Sequence, residues 1–150
     1  MTLFPAAENV HLTKDVGMIP YIMGRDYGYE ASLVCFTNGE YPTYKYLRPF
    51  LNLTLLGRNR KYIITRPSFR MIRYLYRNAK KIDVLNLYHL TYEAILYGII
   101  YRLFHKKGRV YLKLDMDSDA FMRRKRKYSI SRLFLFDFLL GKTTDIVSYE

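Results

Sequence analysis

The chain has no tryptophan, one cysteine and half as many acidic as basic side chains. Each shortage excludes something. Cys35 has no second cysteine to pair with, so no internal disulfide can form; set in an apolar run, it reads as a buried, inert thiol. No apolar run reaches the ~18–20 residues needed to cross a bilayer as a helix. The N-terminus lacks the basic start and apolar core of a signal peptide, so a reducing cytoplasmic setting is expected. Gly-x-Gly-x-x-Gly, phosphate-loop and Gly-x-Ser-x-Gly patterns are missing, which disfavours a dinucleotide dehydrogenase, a P-loop enzyme and an α/β-hydrolase. His11, His89 and His105 show no metal-ligand spacing, and no metal site is expected.

What is present is apolar and cationic. Half of the 150 residues are hydrophobic, and 16 Tyr and 9 Phe argue against disorder. Lys and Arg number 25 against 13 Asp and Glu, a formal charge of +12. Such a surface favours anionic partners: membrane head groups, phosphates or nucleic acid.

Periodicity orders the chain into alternating elements. Thr2–Phe4 reads as a short strand, followed by a loop at Pro5–Ala7. A helix is expected over residues 9–27, with Gly17 and Pro20 weakening it and Gly28 stopping it. Ala31–Phe36 reads as a buried strand. Residues 40–49 read as a loop rich in Tyr and Pro. The third strand falls either at Leu51–Leu56 or at Lys61–Thr65; the pattern does not separate them. Pro67 opens an amphipathic helix whose outer face carries Arg70, Arg73, Arg77, Lys80 and Lys81. Asp83–His89 reads as a strand. A helix capped by Thr91 runs to His105 and is closed by Gly108. Arg109–Asp115 is another strand, ending in the acidic group Asp115, Asp117 and Asp119. A long helix is expected over 118–142, and Asp145–Ser148 begins a last strand. The alternation specifies one α/β domain over residues 1–150: an open, mostly parallel sheet with helices on both faces.

Ligands of open parallel sheets bind beyond the carboxyl ends of the strands. That rule selects Pro5–Lys14, with Glu8, Asn9, His11 and Lys14 as its polar groups. It also selects His89, Leu90 and Thr91, then Asp115, Met116 and Asp117, and finally Ser148 and Glu150. Each has a plainer reading. His89 can be satisfied by local backbone, and Asp115 and Asp117 can end a strand and cap a helix. Lys113 lies within a strand, a costly place for a lone cation. Asp115, two residues on and on the same face, is its expected partner, in a structural ion pair or as part of a site.

Arg123, Arg124, Lys125, Arg126 and Lys127 form an unbroken cationic run ahead of the apolar Leu133–Leu140. A solvated face is one reading. Adhesion to an anionic membrane surface is the other, because a basic segment bearing Phe and Leu suits a bilayer interface. Nucleic acid is disfavoured, since the aromatics do not interleave with the basic run.

Four segments, Glu8–Gly17, Lys80–His89, Gly108–Asp115 and Asp145–Glu150, together resemble the N-terminal half of glycosyltransferase family 4 enzymes of the GT-B fold, closest to bacterial enzymes that build exopolysaccharides and other surface glycans. The resemblance implies two Rossmann-like domains, with the acceptor bound by the N-terminal one. The nucleotide-sugar donor would bind a C-terminal domain, through a Glu-x7-Glu element that this chain lacks. It implies an acceptor-binding domain acting in cell-surface polysaccharide or glycolipid synthesis, inactive alone, with no metal or other cofactor. Its partners would be a sugar or lipid-linked glycan acceptor, the missing C-terminal domain and the inner face of the plasma membrane. Acceptor-binding roles are expected for Glu8, Asn9, His11, Lys14, His89, Lys113 and Asp117, and a catalytic role for Asp115. Two departures stand out. Pro5-Ala6-Ala7 replaces the Gly-Gly pair of many members, and Asp115 stands where many carry a histidine. A stand-alone basic module for membrane or nucleic acid, without catalysis, is the alternative. An unrelated α/β enzyme built on Asp115 and Asp117 lacks an accompanying nucleophile or metal set.

Overall fold

The structure, a computed structural model, describes residues 1–58, 68–89, 91–114, 138–139 and 141–149. Six parallel strands form one sheet: β1 (Thr2–Leu3), β2 (Ser32–Cys35), β3 (Asn52–Leu55), β4 (Val84–Tyr88), β5 (Arg109–Leu114) and β6 (Ile146–Tyr149). Their spatial order is β3-β2-β1-β4-β5-β6, and every pair runs parallel. The chain thus winds outward from β1 in one direction and from β4 in the other. This is the Rossmann-like order, with its switch point between β1 and β4.

Strand geometry explains the two-sided core. Alternate residues of a strand face opposite sides. Val34 and Phe36 therefore join Leu3, Leu85, Leu87 and Leu112 on one face, while Leu33 and Cys35 join Phe4 and Tyr88 on the other. The first face is covered by α4 (Phe69–Asn78) and α5 (Tyr92–Phe104), which bury Met71, Leu75, Tyr97 and Tyr101. The second is covered by α1 (Asn9–Leu12), α2 (Asp15–Tyr27) and α3 (Tyr44–Leu47), through Leu12, Val16 and Leu47. Burial on both faces is why the inner strands are nearly continuous apolar runs.

Several expectations are refined. The helix over 9–27 is two helices, because Lys14 takes an extended conformation (φ −107°, ψ −177°) and starts α2 afresh. Gly17 permits this break: a Cβ there would lie 2.4 Å from the Leu12 carbonyl oxygen, so α2 folds back against the end of α1 only with glycine at this position. Pro20 is accommodated inside α2. The third strand is Asn52–Leu55; its rival at 61–65 lies outside the described residues. The loop over 40–49 contains α3. The helix expected from Pro67 is described from Phe69, with Ser68 at its N-cap position, and tightens into a 3₁₀ turn at Ala79–Lys81. The Thr91 side chain caps α5 by accepting from the Ala94 N–H at 3.1 Å, as read from sequence. The long helix over 118–142 falls largely outside the described residues.

The Gly17 contact makes a sharp test. Alanine at an ordinary helix position gains about 1 kcal/mol over glycine. Here the clash with backbone reverses the sign, and Gly17→Ala should lower stability by about 1–3 kcal/mol in urea unfolding.

Candidate functional site

The site grows from the end of β1. Phe4 follows the strand at the switch point and is buried. Three rings pack on it: His11 of α1 at 5.1 Å, His89 after β4 at 5.7 Å and Tyr88 at 5.8 Å between centroids. Two histidines 78 positions apart in the chain thus meet across one phenylalanine. Both belong to segments that the strand-end rule selects.

Each histidine is set by backbone. The Glu8 N–H donates to His11 Nδ1 at 3.0 Å, so neutral His11 carries its proton on Nε2. His89 has φ 62°, the one positive φ outside glycine among the described residues. Its N–H donates to the Lys113 carbonyl at 2.9 Å, and its own carbonyl accepts from Thr91 at 3.0 Å. These bonds turn the chain sharply from β4 into α5. Left-handed backbone at a non-glycine residue costs about 1–3 kcal/mol and gathers at functional sites.

The first loop is held from behind. Asn38 Nδ2 lies 3.0 Å from the carbonyls of both Pro5 and Ala7. The Tyr41 hydroxyl reaches the Ala7 carbonyl at 2.8 Å and the Phe36 carbonyl at 2.9 Å. Asn9 Oδ1 accepts from the Thr43 N–H at 2.9 Å, which commits that oxygen to loop building. Burial pushes the Tyr41 hydroxyl up to about 12, so it remains a protonated donor at any physiological pH. Cys35 Sγ lies 3.7 Å from the same hydroxyl, and burial pushes its thiol up to about 11. This is the inert cysteine expected.

Lys113 is 5% exposed on β5 and forms an ion pair with Asp15, the first residue of α2. Asp115, the partner expected from spacing, lies outside the described residues. The pair ties the start of α2, just beyond Lys14, to the outer half of the sheet. On β4, Asn86 is buried, with its Nδ2 near Thr2 Oγ1 (3.3 Å) and the Tyr88 hydroxyl (3.4 Å).

The strand ends therefore bring His11 and His89 together on Phe4; Glu8 joins them through its backbone bond to His11, while Asn9 turns to Thr43 and Lys113 to Asp15. Glu8 and Lys14 are solvent-exposed. Ser148 lies farther out on β6, where its Oγ is 2.6 Å from the Tyr111 hydroxyl. Leu90, Asp115, Met116, Asp117, Asp119, the basic run 123–127 and Glu150 lie outside the described residues. Reading from sequence missed Asn38, Tyr41 and Asp15. Asn38 carried a turn signal beside Gly39; Asp15 carried none. Among the described residues no group of His, Cys, Asp and Glu could hold a metal ion, and no helix is long and apolar enough to cross a membrane. A small crevice between α5 and the sheet, lined by Leu87, Ala94, Ile95, Gly98 and Leu112, is apolar core and lies away from this rim. No protein-family model, curated protein or solved structure matches the chain.

Two consequences are measurable. Asp15→Asn removes the counter-charge that α2 supplies to a buried ammonium and should lower stability by about 1–3 kcal/mol, less than for a fully buried pair because the Asp15 side chain is 44% exposed. Lys113→Met removes the cation itself and should cost less. Cys35 should resist alkylation in the native protein at pH 8 and react at the rate of an ordinary thiol once urea unfolds the chain.

Proposed function

We propose that the chain is the N-terminal, acceptor-binding half of a nucleotide-sugar-dependent glycosyltransferase of the family 4, GT-B type, acting in cell-surface polysaccharide or glycolipid synthesis. The observation that carries the reading is the convergence of His11 and His89 on Phe4 at the switch point of a Rossmann-like sheet. Ligands of such sheets settle there. The side chains suit a sugar: hydroxyl-rich ligands need donors and acceptors side by side with a ring to pack against. In this reading His11 offers its Nε2–H, and His89 is held toward the same space by its left-handed turn. Glu8 and Lys14 supply an acceptor and a donor at the mouth. Asn9 and Lys113 act from behind, holding the loop and the start of α2. Asp115 and Asp117, next along the chain after β5, are assigned to orienting the acceptor hydroxyl and its neighbours. Donor binding and transfer are assigned to a second domain.

The fold alone is shared by many activities, so the reading rests on the site. It is tested by titrating the 150-residue chain with methyl glycosides and short glycans while following the imidazole resonances of His11 and His89. Glycans should shift both, a nucleotide-sugar should shift neither, and His89→Ala should weaken glycan binding roughly tenfold, the worth of one good hydrogen bond to a bound ligand. Glycan binding that leaves both imidazoles unmoved, or nucleotide-sugar binding at these histidines, would remove the proposal.

A further inference from the structure

The helical layer on the other side of the sheet carries a surface that the rim does not use. On α4, Phe69, Arg73, Tyr76 and the following Lys80 recur at helical spacing and share one outward face, with Arg77 beside them. The opposite face buries Met71 and Leu75. Phe69 is 76% exposed, and on the neighbouring α5 Leu103 is 67% exposed. The rings of Tyr76 and Phe104 bridge the two helices at 4.8 Å, near perpendicular, and so link the exposed apolar side of α4 to the end of α5. On these two helices the exposed charge among the described residues is basic. No acidic residue occurs between Ser68 and Ile82 or between Ala94 and Arg109. Of the described acids close to these helices in the chain, Glu93 is buried, Asp145 pairs with Arg102, and Asp83, which is exposed, lies past the end of the 3₁₀ turn.

We infer that the outer surface of α4 and the end of α5 docks on an anionic lipid bilayer, with Phe69, Leu103 and the Tyr76–Phe104 pair entering the interface and Arg73, Arg77 and Lys80 meeting head groups. A helix surface of this composition suits that interface, where aliphatic and aromatic groups sit at acyl depth beneath basic side chains. A second copy of the chain would bring like charge against like charge. Nucleic acid would use a series of open aromatic faces for stacking, but Tyr76 and Phe104 pack on each other, Leu103 has no face to offer, and Phe69 is a single open ring. This assignment does not depend on sugar transfer, and it places adhesion on residues other than the run 123–127.

Cosedimentation of the 150-residue chain with phosphatidylcholine vesicles, with and without phosphatidylglycerol, tests it. Binding should require the anionic lipid and fall with salt. Each cation near an anionic leaflet contributes roughly fivefold to affinity, so Arg73→Gln/Arg77→Gln/Lys80→Gln should bind roughly 100-fold more weakly. Phe69→Ser/Leu103→Ser should lose at least about tenfold. Both variants change exposed positions and should keep the parent's circular dichroism spectrum and unfolding midpoint; Arg73→Lys/Arg77→Lys should retain binding. The inference is overturned if the parent ignores anionic vesicles, if it binds a duplex oligonucleotide in preference to them, or if the triple variant binds vesicles like the parent. It is equally overturned if neutralising Arg123, Arg124, Lys125, Arg126 and Lys127 alone abolishes binding.

Discussion

The packing of His11, Tyr88 and His89 around Phe4 is the contact on which the rest of the rim depends. β1 is only two residues long, yet it pairs with β2 on one side and β4 on the other. Four registered residue pairs are few with which to join two halves of a sheet. Phe4 extends the join beyond the ladder: its N–H donates to the Val34 carbonyl, and its ring fills the space that the diverging connections leave open. An aromatic ring suits this place because it offers a large apolar area and favours tilted or edge contacts with other rings at these distances. The histidines meet as a consequence of topology, since the chain turns back in opposite directions from adjacent strands.

That meeting would be loose without the buried polar contacts behind it. Asn38 and Tyr41 come from the connection after β2, yet they hold the carbonyls of the connection after β1. A buried carbonyl left unpaired costs about 1–3 kcal/mol; Ala7 finds its partners here, and Pro5, which also accepts from the Phe36 N–H, gains a second, so the loop is fixed in place. The Asp15–Lys113 pair fixes the next turn, binding the start of α2 to β5 across the switch point. Together these contacts restrain the loop from both ends, and His11 lies between them.

Strands and helices with strong local signatures were legible in the sequence. Val84–Tyr88 and Arg109–Leu114 stand out as apolar runs between breakers, and Thr91 announces α5 three residues before the N–H it caps. The two-residue β1 was legible through its neighbours Pro5–Ala7 more than through its own length. What was not legible is long-range. Residues 51–56 and 61–65 compete for the third strand because both are short and β-prone, and only pairing with Ser32–Cys35 selects Asn52–Leu55. The break at Lys14 depends on how closely Gly17 can approach Leu12. Asp15, which pairs with Lys113, is 98 residues away, and no spacing along one strand announces it; the Asp115 to which that spacing points lies outside the described residues. Local pattern reports which side of an element is apolar; it does not report which distant side chain arrives there.

Charge is distributed in keeping with this division. At the switch point the acidic and basic groups alternate, as Glu8, Lys14, Asp15 and Lys113 show, so local charge is nearly balanced. On α4 the cations meet no acidic side chain among the described residues, and at the end of α5 only Arg102 is paired, with Asp145. Crowding like charges on one helix layer works against the compact state, and Arg70 shows one way in which such a charge is used internally, donating to the carbonyls of Leu56 and Arg58. Arg73, Arg77 and Lys80 sit beside exposed Phe and Leu, a combination that core packing does not require. A fold needs the inner face of α4 to be apolar; it sets no demand that the outer face be both basic and aromatic. The excess of +12 is therefore more than a solubility device spread evenly over the surface: part of it is concentrated where apolar side chains also protrude, on the layer opposite α1 and α2.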